Sequence, residues 1–283
     1  MHEEKVEWTE IIEPRSHLLD LKLHELWRYR DLLVMLVRRD FVATYKQTIL
    51  GPIWFFIQPL LTTVTYMLIF GNIAKISTDG LPMAVFYLAG ITIWNYYADS
   101  LNKTATVFKD NANIFGKVYF PRLIMPLSIV VSNLVRLGIQ LSLFLLIWGY
   151  YFISGAQLHP NIYLLLVPVV VLLMALQALG LGMIISALTT KYRDLIFLLT
   201  FGVQLLMYAT PVIYPLSALP KKYALLIHAN PLSEPVELFR YAFTGSGQVS
   251  WAGLAYSVVC TLVMLALGTL IFNRVERKFM DTV

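Results

Sequence analysis

The feature that most constrains this chain is a series of apolar runs, most of them about twenty residues or longer, separated by short polar or basic segments. Lipid offers the backbone no hydrogen-bond partner, so a run of that length has to satisfy its own amides, as a helix does. Read in order, the runs predict six transmembrane helices, at about 51–70, 82–104, 127–153, 162–188, 195–214 and 252–272. The expected fold class is an all-α integral membrane protein. Composition points the same way. The chain is 58% hydrophobic and only 14% charged, with a mean hydropathy of +0.68, whereas soluble domains carry roughly 25% charged residues.

The segments outside the runs divide the chain further. Residues 1–22 are charged and read as a cytoplasmic tail, with no apolar stretch and small-residue cleavage site of the kind a signal peptide needs. Over residues 23–50, Leu26, Trp27, Leu33, Val37 and Phe41 recur at helical spacing, while Arg28, Asp31, Arg38, Arg39 and Asp40 fall largely elsewhere. That pattern predicts an amphipathic helix lying in the membrane interface. A soluble amphipathic helix is the alternative, and direct continuation into the first span at Gly51 argues against it. Residues 51–283 form the six-span domain.

Within that domain, the region 215–250 departs from the rest, because Pro215, Pro220, Pro231 and Pro235 cut it into pieces of about a dozen residues. Pieces so short do not cross ~30 Å of hydrocarbon. They predict two short re-entrant helices, about 219–228 and 234–244, the second capped by Ser233 and ended by Gly245. Irregular backbone at membrane depth survives beside protein or a water-filled cavity, which places these helices next to a pathway.

Lysine and arginine set the orientation. With the N-terminus inside, the inner segments hold 17 of the 22 and the outer loops hold four, Lys75, Lys221, Lys222 and Arg240. The excess of positive charge predicts both termini on the cytoplasmic side. Because these charges follow topology instead of gathering on one soluble face, nucleic acid is not an expected partner.

Catalytic patterns are missing. Gly116-Lys117 is followed by Val118 and Gly245-Ser246-Gly247 by no lysine, so the chain has no phosphate-cradling loop. Its five histidines show no metal-ligand spacing, and Cys260, alone within a predicted span, reads as a packing residue. No enzyme and no metal site are expected. Two features of the spans invite function. Arg136 falls near mid-span, where a charge faces a cavity or a partner, and Asp99 of the second span is within reach as that partner. Aromatic residues crowd the first two spans, among them Trp54, Phe55, Phe56, Phe86, Tyr87, Trp94, Tyr96 and Tyr97. They fit either an interfacial belt or a lining on which sugar C–H faces stack.

Several short stretches carry a resemblance. Arg39-Asp40, Tyr45 through Trp54 (Tyr-Lys-Gln-Thr-Ile-Leu-Gly-Pro-Ile-Trp), Phe70-Gly71, Lys117 through Arg122 (Lys-Val-Tyr-Phe-Pro-Arg), Tyr192-Arg193-Asp194, Pro211 through Pro215 (Pro-Val-Ile-Tyr-Pro) and Asn230-Pro231 resemble, in this order, the permease subunits of second-type ATP-binding-cassette exporters. The branch they resemble most exports lipid-linked polysaccharides: O-antigen, capsule and teichoic acid.

The resemblance implies a homodimer bound to two copies of a separate ATPase that holds ATP and Mg, with no cofactor on this chain. It implies a bacterial cytoplasmic (inner) membrane and an undecaprenyl-linked glycan as substrate. Docking to the ATPase would fall to Lys117, Tyr119, Phe120, Pro121 and Arg122 and to Lys191, Tyr192, Arg193 and Asp194. The first and fifth spans of both subunits would line the channel, with Trp54, Phe55, Tyr66, Trp94, Tyr97, Arg136 and Tyr208 as candidate lining. Pro211, Tyr214, Pro215, Pro231 and Glu234 would form the outer gate. The alternatives are an exporter of a drug or lipid with the same architecture, and a proton-coupled carrier using Arg136 and Asp99.

Overall fold

A computed structural model describes residues 23–46, 48–49, 51–115, 120–220, 222 and 227–280. The tail at 1–22 and half of the helix expected over 219–228 therefore lie outside the described residues. Among the described residues all regular structure is helical.

Two helices precede the first apolar run, α1 (Leu23–Arg28) and α2 (Arg30–Tyr45), broken at Tyr29. One side of α2 packs on the bundle, where Leu36 joins Val107, Phe108, Ile124, Met125 and Phe272 in a buried cluster. Val34 and Met35 of α2, with Trp27 of α1, are turned outward, at least 63% exposed. An outward apolar row beside charged neighbours suits a lipid boundary better than water.

The first run begins with a 3-10 turn (Gly51–Ile53), continues as α3 (Trp54–Tyr66) and widens into π-helical turns over Met67–Ile73. Then come α4 (Met83–Ala105), short α5 (Val107–Asp110) and α6 (Ala112–Phe115), and α7 (Ile124–Ile153). Asn161 caps the next element, accepting the Tyr163 amide at 3.1 Å where a 3-10 turn (Ile162–Leu166) leads into α8 (Val167–Lys191). Helices α9 (Leu195–Tyr208), α10 (Ser233–Thr244) and α11 (Trp251–Met280) complete the order.

α4 is the axis of the bundle. It packs against α3, α7, α8 and α9, and Val85, Tyr87, Leu88 and Ile93 on it have no exposed surface. α11 in turn lies along α8, while α10 is buried between α4 and α8.

Four segments are long and apolar enough to cross a membrane by length and composition: Gly51–Ile73, Ile124–Ile153, Ile162–Lys191 and Trp251–Val275. α4 has 23 residues, enough for ~34 Å at 1.5 Å each, but its central position lets it carry Asn95, Asp99, Asn102 and Lys103. The run expected at 195–214 is shorter as a helix than its composition suggested. α9 ends at Tyr208, after about 21 Å, because Pro211 and Pro215 donate no amide and disfavour helical backbone in the residues before them.

Close helix approach rests on glycine. A Cβ on Gly180 would lie 2.8 Å from the Met264 carbonyl carbon and one on Gly268 would lie 2.5 Å from the Gly180 oxygen, so α8 and α11 touch backbone to backbone. Gly182 faces Thr104 of α4 in the same way, flanked by buried Ala178 and Ser186. Gly268→Val is expected to destabilise the protein by ~1–3 kcal/mol through overpacking. Gly138→Ala, where a Cβ meets nothing within 4 Å, is expected to be at least as stable as wild type. Thermal unfolding of the detergent-solubilised variants checks the contrast.

Candidate functional site

The proline-rich region is tied to the bundle by side chains that replace lost helical hydrogen bonds. Arg240, on α10 and 1% exposed, is the centre of this knot. It donates to Glu237 Oε2 at 3.0 Å, to the Pro211 carbonyl, and to the Val212 carbonyl at 3.2 Å, and its guanidinium lies 4.0 Å from the ring centroid of Phe86 on α4. Expected above as an outer-loop charge, Arg240 is instead a buried strut. An arginine three residues after a glutamate is the local signal for it, since i,i+3 side chains meet on a helix.

Around that strut, Asn230 donates to the Ala209 carbonyl at 3.0 Å and to Thr210 Oγ1 at 2.8 Å, joining the Asn230-Pro231 segment to the end of α9. Ser257 on α11 donates to the Pro231 carbonyl at 2.7 Å, and Gln177 on α8 donates to Ser257 Oγ and Thr261 Oγ1, both at 3.0 Å. Tyr214 donates to the Tyr208 carbonyl at 2.8 Å. Pro211 and Pro215 are buried, Tyr214 and Pro231 partly so. Glu234 is 3% exposed, with Oε1 3.3 Å from His228 Nδ1 and Oε2 accepting the Ser250 amide at 3.3 Å. Ser233 does not cap α10 as expected. Its hydroxyl donates to the Ile227 carbonyl at 2.6 Å, Leu232 occupies the cap position without a side-chain bond, and Gly245 ends the helix at φ 70°.

Arg136 and Asp99 do meet. The pair joins α7 to α4 at 2.6 Å, and the guanidinium also lies 4.8 Å from the centroid of Phe55 at the start of α3. One turn further along α4, Lys103 donates to Asn133 at 3.3 Å and Asn133 donates to Ser100 at 3.1 Å. With side chains 23% and 34% exposed, Arg136 and Asp99 sit at the edge of the protomer, and direct pairing accounts for both charges.

The aromatic candidates separate into two groups. Trp54 and Tyr208 are exposed, at 47% and 51%, and Tyr66 is half-buried against Phe70 and Tyr87. Trp94 and Tyr97 are 4% and 2% exposed and pack on one another inside the protomer, and Phe55 is 5% exposed beneath Arg136. A ring already covered by its own chain has no face left for a passing sugar, so in this conformation Trp94, Tyr97 and Phe55 are core residues. α9 and α3 are among the helices that carry exposed apolar side chains. Phe197, Leu198, Phe201 and Leu205 stand outward on α9, where Val203 is the buried residue, and Leu61, Val64 and Leu68 stand outward on or just after α3.

The two docking candidates also differ. Lys191, Tyr192, Arg193 and Asp194 are all exposed in the turn between α8 and α9, with the Lys191 ammonium 5.1 Å from the Tyr192 ring centroid. In the other stretch Phe120 is 6% and Arg122 5% exposed, with Pro121 partly buried. Phe120 is part of the cluster that holds α2 to α7, so it is committed inside the chain, and Arg122 is likewise covered where docking needs surface. Lys117 and Tyr119 lie outside the described residues.

The chain belongs to the ABC-2 type transporter family, whose model matches residues 31–244. It is 28% identical over 263 residues to the O-antigen export system permease protein RfbA of Myxococcus xanthus, covering 92% of this chain and 98% of that one. RfbA of Klebsiella pneumoniae is 26% identical, covering 89% and 94%, and the polysialic acid transport protein KpsM of Escherichia coli is 23% identical, covering 86% and 93%.

Breaking the buried pair leaves a charge without its partner, a loss of ~3–5 kcal/mol. Arg240→Ala is therefore expected to lower the unfolding temperature sharply or abolish accumulation in the membrane, whereas Lys191→Ala at an exposed position should stay within ~0.5 kcal/mol of wild type. Thermal scans of both variants in detergent measure this.

Proposed function

We propose that this chain is the membrane subunit of an ATP-driven exporter that carries a lipid-linked polysaccharide of the O-antigen or capsule type across the bacterial cytoplasmic membrane. The observation that carries the reading is the near end-to-end match to relatives named for O-antigen export and polysialic acid transport. Two chains pair, and two copies of a separate ATPase bind ATP and Mg.

In this reading the chain crosses the membrane six times with both termini cytoplasmic, α4 and α9 serving as spans beside the four most apolar segments. α9, together with the turns to Pro215, reaches the outer side, and α10 is re-entrant. The outward faces of α3 and α9 meet the second copy and enclose the glycan path, to which Trp54, Tyr66 and Tyr208 present aromatic edges. These faces support the assignment because they are the outward surfaces of helices that the protomer itself covers least. Arg136, held by Asp99 beside Phe55, borders the path. The knot about Arg240 keeps Pro211, Tyr214, Pro215, Pro231 and Glu234 together as an outer gate. The exposed turn at Lys191, Tyr192, Arg193 and Asp194 takes the push of the ATPase.

Loss of the gene is expected to remove surface polysaccharide while glycan remains in the cytoplasm, and the tagged chain is expected to bring down an ATP-binding protein. Surface polysaccharide at the wild-type level would sink the proposal. Arg193→Glu is expected to lower export about tenfold or more, the scale of a like-charge contact worth over 1.4 kcal/mol, with the permease still folded and ATP hydrolysis continuing. Export and ATP turnover measured together in vesicles separate this uncoupling from simple loss of protein.

A further inference from the structure

A second apolar opening lies among α7, α8 and α11, and no residue of α3 or α9 lines it. It is a cleft of about 430 Å3 bordered by Leu127 of α7, Leu179 and Met183 of α8, Ala266 and Thr269 of α11, and Leu26 of α1. The Thr269 hydroxyl is engaged within its own helix, donating to the Leu265 carbonyl at 2.8 Å, so the cleft offers water no partner. Dry apolar space of this kind takes up apolar ligands, and leaving it empty strips its lining of dispersion contacts. Three of the bordering helices have the length and composition of membrane spans or begin one, so the material next to the cleft is hydrocarbon.

The chain beside Leu26 has a different chemistry. Just across the break at Tyr29, the Arg30 guanidinium lies 5.5 Å from the ring centroid of Trp27. Both side chains face outward, Trp27 70% and Arg30 62% exposed, and Arg30 Nε lies 3.9 Å from Asp31 Oδ1. An indole at the headgroup level with a cation beside it is the arrangement that meets a lipid phosphate.

We propose that the cleft seats one acyl chain of a bilayer glycerophospholipid from the leaflet on which α1 lies, its phosphate over Arg30 and Trp27. The lipid joins α1 to the start of α7 and to the middle stretches of α8 and α11 that border the cleft. The polyprenyl carrier of the proposed substrate has to travel with its cargo between subunits along α3 and α9, so the occupant is a resident phospholipid.

The test uses the full chain with its ATPase in vesicles of phosphatidylethanolamine and phosphatidylglycerol containing a phosphatidylglycerol with a diazirine on one acyl chain. After irradiation, peptide mass spectrometry is expected to find the label concentrated on residues 176–183 and 262–269. Ala266→Trp fills the cleft and is expected to remove that label, while label on the outward face of α7 persists. Arg30→Glu, at an exposed position that leaves the packing intact, is expected to reduce it severalfold. Label spread evenly over the outward faces of all helices overturns the proposal, as does unchanged labelling in a folded Ala266→Trp protein or in Arg30→Glu. Displacement of the label by a few mole per cent of undecaprenyl phosphate overturns it too, by identifying the occupant as the carrier. None of these outcomes depends on polysaccharide export.

Discussion

Between Tyr208 and Pro215, and again around Asn230-Pro231, the chain gives up continuous helical hydrogen bonding inside the bundle, and the carbonyls it releases have to be met by side chains. Arg240 takes those of Pro211 and Val212, Asn230 takes that of Ala209, and Ser257 takes that of Pro231. The irregular segment exists because α4, α8, α10 and α11 each send a group to it. A charged group can serve there because Glu237 and the ring of Phe86 neutralise and cover the guanidinium. Pro211 and the helix that carries Arg240 are thereby tied together.

The same logic explains how a long helix with charges along its length can be the most buried. α4 carries Asp99, Lys103 and Asn95 yet lies among four other helices, which present Arg136 and Asn133 to its polar residues. Charge in the middle of a membrane protein is tolerated when a partner is built in. The peripheral helices hold fewer such groups and put apolar side chains outward, and α3 and α9 leave so much apolar surface that lipid or a second copy has to complete them.

Two basic stretches that look alike in sequence have opposite fates. Lys191 through Asp194 occupies a short turn between helices, where no other element passes over it, and all four side chains stay exposed. Phe120 through Arg122 precedes α7 at the point where α2 crosses, and the same crossing that buries Leu36 and Phe108 covers it. Phe120 there holds α2 to the bundle.

By itself the sequence determined that the chain is helical and membrane-embedded, where most of the long helices begin and end, and that Arg136 needed a cavity or a partner, with Asp99 as one candidate. Each of these follows from local constraints: backbone amides in hydrocarbon, proline without a donor, a charge without water. The end of α9 at Tyr208 was legible in principle from Pro211 but was masked by apolar composition that continues through the turns. Only the tertiary structure decided which aromatics are core and which are surface, that Arg240 is a strut, and that Arg122 is covered. Those outcomes depend on which helix crosses which, and a side chain's own neighbours along the chain carry no record of what packs across it.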